Sequence, residues 1–208
     1  MKRAVDSRFF RGDRGGRAGL EASATILWSL CLCILLCLSS VAVDAQASNL
    51  SEYQVEAVYL YNFSRFVDWP AQPTTERTAT FAICVLGKDP FGPMLDSTLS
   101  GESVGADNLI ARRLSKPQEA LGCRILFVGL SEKDHLKEIL GALGKASVLT
   151  VSDIPRFSEH GGMIGFVLEG DKVRFEVNLT NATDAGLEVS SDLLKVAIAV
   201  RRNRQSGA

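Results

Sequence analysis

The chain has 208 residues, 46% hydrophobic and 23% charged, with a formal net charge of −1. That balance argues against a basic nucleic-acid-binding surface. The length is enough for one domain with a real core that needs neither metals nor several disulfides.

The opening residues have the pattern of a secretory leader. Lys2, Arg3, Arg8, Arg11, Arg14 and Arg17 stand against Asp6, Asp13 and Glu21, a local net of +3. An apolar run from Ile26 to Leu38 follows, broken only by Ser29, and small residues lead to Val43-Asp44-Ala45. Cleavage is expected after Ala45, which leaves 1–45 as a signal peptide and 46–208 as the exported domain. The alternative is an uncleaved anchor, but Ala24 to Val43 reaches the ~20 residues of a spanning helix only by including Thr25, Ser29, Ser39 and Ser40. Six basic and four acidic residues leave with the leader, so 17 face 20 and the mature domain carries −3. The basic tail Arg201-Arg202-Asn203-Arg204 reads as a solvated terminus.

The first element of the mature chain is a helix running from Glu52 to about Val67 and stopped by Trp69-Pro70. Apolar positions 55, 58, 59, 62–63 and 66 fit a 3.6-residue period and predict its inward face, broadened by Ala57, Leu60 and Tyr61. Ala71–Thr80 reads as a loop. Four units then follow, each led by a strand-like run: Phe81–Leu86, Asn108–Leu114, Arg124–Val128 and Ser147–Val151. Helices are predicted at Pro93–Leu99, as a turn at Ser115–Leu121, and from Glu132 to about Leu143. Met163–Leu168 and Lys172–Asn178 form a hairpin around Glu169-Gly170-Asp171. A last helix is expected from Asp192 to Val200. These elements predict an α/β fold: a mainly parallel sheet flanked by helices on both faces, ending in an antiparallel hairpin and a C-terminal helix.

No dinucleotide fingerprint, Walker loop or nucleophile elbow occurs, and His135 and His160 lack partners at zinc-ligand spacing. The chain is therefore read as non-catalytic, with neither cofactor nor metal expected. In an open parallel sheet ligands bind at the carboxyl ends of the strands. Gly87-Lys88-Asp89, Ser131-Glu132 and Ser152-Asp153 should share that edge, with Lys88 an anion-holding candidate, although Ser131 and Asp153 also suit caps and turns. Cys84 and Cys123 remain after cleavage, an even pair beside neighbouring strands. They are a disulfide candidate, the alternative being two buried thiols. Arg65 and Asn62 are odd polar residues on an apolar helix. Strand alternation puts Arg174, Glu176 and Asn178 on one face, where Arg174 is either a clamp for an anion or a solvated residue paired with Glu169 or Glu176. Four N-glycosylation sequons, at Asn49, Asn62, Asn178 and Asn181, read as chance matches.

The order of blocks resembles the YfiR family. The matching stretches are Tyr59–Pro70 (YLYNFSRFVDWP), Phe81–Gly92 (FAICVLGKDPFG), Cys123–Glu132 (CRILFVGLSE) and Leu149–Asp153 (LTVSD), then Gly161–Ile164 with Phe166, Val173–Leu179 and Ala185–Val200. The resemblance implies a periplasmic α/β domain, often a homodimer. Such a domain binds and represses the periplasmic sensor part of an inner-membrane diguanylate cyclase, restraining cyclic-di-GMP synthesis and biofilm formation. It also implies the Cys84–Cys123 bridge. The second bridge of some members is absent, since Phe157–Met163 holds no cysteine. Tuning by a small anionic or aromatic ligand is expected near Asn62, Arg65, Lys88, Arg174 and Asn178. The alternative function is an exported small-ligand-binding sensor module without a cyclase partner.

Overall fold

Along Thr80–Leu86, Phe81, Ile83 and Val85 are buried on one side and Ala82, Cys84 and Leu86 on the other. A strand covered on both faces belongs to the middle of an α/β sandwich. The computed structural model describes residues 52–70 and 80–202, all within the unit Asn49–Ala208. The expected leader, the sequon at Asn49, residues 71–79 of the predicted loop, and Asn203 and Arg204 of the tail lie outside the described residues.

The chain begins with helix α1 (52–66) and β1 (Val67–Asp68), then β2 (Thr80–Leu86) and α2 (Pro93–Leu99). Next come β3 (Ser103–Val104), β4 (Asp107–Leu114), a 3-10 turn at Pro117–Gly122, and β5 (Ile125–Val128). A second 3-10 turn at Leu130–His135 leads into α3 (Leu136–Leu143) and β6 (Leu149–Ser152). The last elements are β7 (Ile164–Glu169), β8 (Lys172–Asn178), α4 (Leu179–Asp184), β9 (Glu188–Val189), α5 (Ser191–Val196) and β10 (Ala199–Arg201).

Among the described residues the main sheet has eight strands in the order β10-β8-β7-β6-β5-β2-β4-β3, and β1 pairs with β9 separately. The pairings β2–β4, β2–β5, β5–β6, β6–β7 and β8–β10 are parallel; β3–β4 and the hairpin β7–β8 are antiparallel. The fold is thus the mainly parallel, two-faced α/β sheet that the strand pattern predicts. One face carries α1, α2, α4 and α5 through Leu60, Phe63, Leu95, Leu99, Ala182 and Leu193. The other carries the first 3-10 turn and α3 through Ala120, Leu136, Ile139 and Leu143.

Two expectations need correction. On α1, Phe63 and the broadening Ala57 and Leu60 are buried as expected, but Glu56 and Ser64 are buried with them, while Val55, Val58 and Phe66 are 41%, 45% and 40% exposed. The helix is apolar on almost every side, so periodicity alone offers two stripes and tertiary packing selects between them. The last helix ends at Val196 rather than Val200, and Ala199–Arg201 form a parallel strand on β8. Alternating Val196, Ile198 and Val200 suit an extended chain, and the otherwise open edge of β8 supplies the bonding partner: Ile198 N–H donates to the Phe175 carbonyl at 3.0 Å. α4 was not predicted. It is capped by Asn178, whose Oδ1 accepts from the Asn181 N–H at 3.1 Å.

Cys84 and Cys123 are bridged, with Cα atoms 6.1 Å apart and 39 residues of separation. Both lie on the α3 face, where the bridge pins the first 3-10 turn to β2. Replacing both by alanine is expected to lower unfolding free energy by ~3–4 kcal/mol on the chain-entropy model. Urea denaturation of the oxidised protein against the double variant measures it, and a loss below about 1 kcal/mol would show that the bridge constrains little.

Candidate functional site

The parallel register brings the carboxyl ends of the strands level. Leu86 pairs with both Leu114 and Val128, and Val128 pairs with Ser152. The three strand-end segments expected on one edge are therefore together. Between β2 and β5 the chain runs away in opposite directions, the place where open sheets commonly hold a ligand. Here the protein's own side chains occupy it. Ser131 Oγ accepts the Lys88 N–H at 2.9 Å and donates to Glu132 Oε1 at 3.0 Å. Gly87, at φ 89°, permits this approach: a Cβ there would sit 2.7 Å from the Glu132 side chain.

The open space lies at the end of β6 instead. β6 and β7 pair only through Val151–Ile164 and Ser152–Gly165, so the β7–β8 hairpin projects beyond the strand ends. A cavity of about 380 Å³ lies between that hairpin, the first turns of α1 and the loop after β6. Its walls include Phe166, Leu168 and Val173 on the hairpin side, and Glu52, Glu56 and Asp153 opposite.

α1 reaches this point because its rings anchor it along the sheet. Phe63 packs on Phe175 and Phe166 with centroids 5.3 and 6.0 Å apart, and Tyr59 lies 5.4 Å from Phe175. At the helix start, Tyr53 meets Phe91 edge-on at 5.9 Å, and its hydroxyl donates to Asp153 Oδ2 at 3.0 Å. Helical spacing then puts Glu52 and Glu56 one turn apart over the cavity.

The acids there are unusual. Glu56 is 1% exposed, and its Oε2 is enclosed without a hydrogen-bond partner, as is Oδ1 of Asp153. An unsatisfied buried acceptor costs roughly 1–3 kcal/mol. Burial, reinforced by the nearby Asp153 and Glu52 carboxylates, pushes the Glu56 carboxyl up to about 9. Burial also raises Asp153, against the lowering effect of the Tyr53 bond, and raises Glu52 with help from Asp153. By contrast, Glu159 and Glu176 at the same cavity are matched by arginines. Glu159 takes Arg156 Nε at 2.7 Å and Arg201 Nη2 at 2.8 Å; Glu176 takes Arg201 Nη2 at 3.3 Å. Arg156 holds a left-handed backbone at φ 62°, the only non-glycine among the described residues to do so.

The residues singled out from sequence are distributed differently. Arg65 is exposed, with Nη1 on Tyr61 Oη at 2.8 Å, and Tyr61 donates to Glu102 at 2.6 Å. Arg174 is also exposed and lies 3.8 Å from Glu169. The two arginines thus have different partners. Asn62 is half-buried, Lys88 is exposed at the β2 end, and Asn178 links β8 to the loop after β6 through the Ser158 carbonyl at 2.9 Å. Sequence reasoning missed Glu52, Tyr53 and Glu56; it placed Asp153 on the strand-end edge, with a turn-forming role as the alternative. The available signal was a pair of glutamates one turn apart on a helix otherwise rich in apolar residues.

A family described as YfiR/HmsC-like matches residues 53–198, well over half of the chain. Among solved structures, a conserved domain protein from Vibrio cholerae O1 biovar El Tor aligns with a TM-score of 0.46 at 10% identity, covering 58% of this chain and 54% of that one. An ABC domain in complex with L-Trp from Streptococcus pneumonia aligns with a TM-score of 0.44 at 10% identity, covering 58% and 55%. The chain spans about half the length of these two structures.

The protonated Glu56 gives folding a definite pH dependence. Below its ordinary value of 4.5 the carboxyl is protonated in both states and exacts no penalty. From there to about 9 the unfolded chain has released the proton that the folded chain keeps, so stability falls as pH rises. The slope from one retained proton is about 1.4 kcal/mol per pH unit at most. Urea titrations between pH 5 and about 9 are expected to show this decline in the wild type and a shallower one in Glu56→Gln; parallel slopes would mean that Glu56 ionises normally.

Proposed function

Because the chain belongs to the YfiR/HmsC-like family, we propose that it is an exported, non-catalytic regulator. It binds the periplasmic sensor part of an inner-membrane diguanylate cyclase and restrains cyclic-di-GMP synthesis and biofilm formation. The observation that carries this reading is the family match, which runs through nearly every element of the sheet from α1 to α5. A bridge between Cys84 and Cys123 is compatible with an oxidising compartment. Residues 1–45 are the export signal in this reading, with cleavage after Ala45.

A regulator of this kind acts through its surface. α1 offers one: Val55, Val58 and Phe66 recur at helical spacing on its outer side, each at least 40% exposed, with Asn62 and Arg65 among them. The Arg65 guanidinium lies 5.8 Å from the Tyr61 ring centroid and is also bonded to the Tyr61 hydroxyl. An arginine held beside apolar side chains is a common composition for an interface centre.

The protein, tagged and applied to solubilised inner membranes, is expected to retain a diguanylate cyclase, and deletion of its gene is expected to raise cyclic-di-GMP. Val58→Asp should weaken retention about tenfold or more, equivalent to about 1.4 kcal/mol. The melting temperature should hardly change, because Val58 is half-exposed. Failure of the wild type to retain any cyclase, together with unchanged cyclic-di-GMP on deletion, would refute the proposal.

A further inference from the structure

We propose that the cavity at the end of β6 is a binding site for a small organic ammonium ion, a primary amine carried on an apolar body. Two enclosed carboxylate oxygens, Glu56 Oε2 and Asp153 Oδ1, are without a donor, and both residues line the cavity. Glu56 is 1% exposed, so water at the surface does not satisfy it. An ammonium group has three donors and no acceptor. Those two oxygens and the Glu52 carboxylate supply acceptors in matching number.

The other charges of the cavity are already accounted for. Glu159 is held by Arg156 and Arg201, and Glu176 by Arg201 and by the Ser158 hydroxyl at 2.6 Å. The cavity's carboxyl groups left without an ion-pair partner among the described residues are thus Glu52 and Glu56 on α1 and Asp153 after β6. Phe166, Leu168 and Val173 form the facing wall, which suits a hydrocarbon or aromatic body. Leu168 is 53% exposed, so a ligand would cover apolar surface that now meets water. The volume of about 380 Å³ falls within the roughly 300–1,000 Å³ of small-molecule sites. A bare metal ion fits less well, since no group of three or more His, Cys, Asp or Glu among the described residues is arranged to hold one.

Binding carries a proton signature. The groups around Glu56 are Glu52 and Tyr53 on its own helix, Asp153, Arg156 and Glu159 on the loop, Glu176 on β8, and Arg201 behind them. A cation seated beside Glu56 favours its ionised form, so the complex releases up to one proton. This inference is independent of any cyclase partner.

Calorimetry on the purified protein at neutral pH tests it, with 2-phenylethylamine, hexylamine and butane-1,4-diamine as probes and 2-phenylethanol as the uncharged isostere. The expected results are that at least one amine binds about tenfold or more tightly than the alcohol, and that its apparent enthalpy differs between phosphate and Tris buffers through proton release. Glu56→Gln and Asp153→Asn, both conservative, should each weaken that amine about tenfold while keeping the native circular dichroism spectrum. Any of the following would overturn the proposal: no amine binding up to about 10 mM; equal affinity for the alcohol; affinity unchanged in both variants; or calcium chloride matching the amines in thermal stabilisation.

Discussion

The interaction on which the rest depends is the seating of α1 across the sheet. Leu60 and Phe63 enter the core at 0% exposure, and Phe63 with Tyr59 packs on Phe166 and Phe175 from the hairpin strands. Beyond the helix, Trp69 Nε1 donates to the Arg124 carbonyl at 3.2 Å, and its ring meets Phe81 edge-on at 5.0 Å. An aromatic helix fixed at both ends cannot slide without breaking several ring contacts at once. Its register decides that Glu56 is inside and Val58 is outside.

The sheet supplies what that helix sits on, and the tail secures the open side. β10 adds to β8 in parallel, and Arg201 reaches back to Ser158 Oγ at 3.0 Å, Glu159 and Glu176. The loop after β6 is thereby tied to the last strand. It is further fixed by Gly162, where any side chain would overlap the buried Phe157 ring. Asn181 Nδ2 adds a bond to the Gly161 carbonyl at 2.7 Å. The floor of the cavity is therefore held by bonds from three separate elements.

Much of this architecture was readable from residue order. Continuous apolar runs such as Phe81–Leu86 mark doubly covered strands, and the helix at Pro93–Leu99 begins and ends as read. The shared edge of Lys88, Ser131 and Asp153 followed from parallel pairing alone. The side of α1 that turns inward followed only in part: Leu60 and Phe63 are buried as read, but Val55, Val58 and Phe66 satisfy a helical period as well and face outward. Buried Glu56 ran against the ordinary preference of carboxylates for water, which no period count detects. Leu193–Val200 was ambiguous for a related reason: a short apolar run with β-branched residues fits helix or strand, and the free edge of β8 decided it.

The covalent crosslink and the buried Glu56 carboxyl occupy opposite sides of the same central layer. Cys84 and Cys123 belong to the α3 side, whereas α1 brings Glu56 in from the other. Reducing the bridge therefore loosens the α3 side, and titrating Glu56 perturbs the α1 side, with the sheet strands between them.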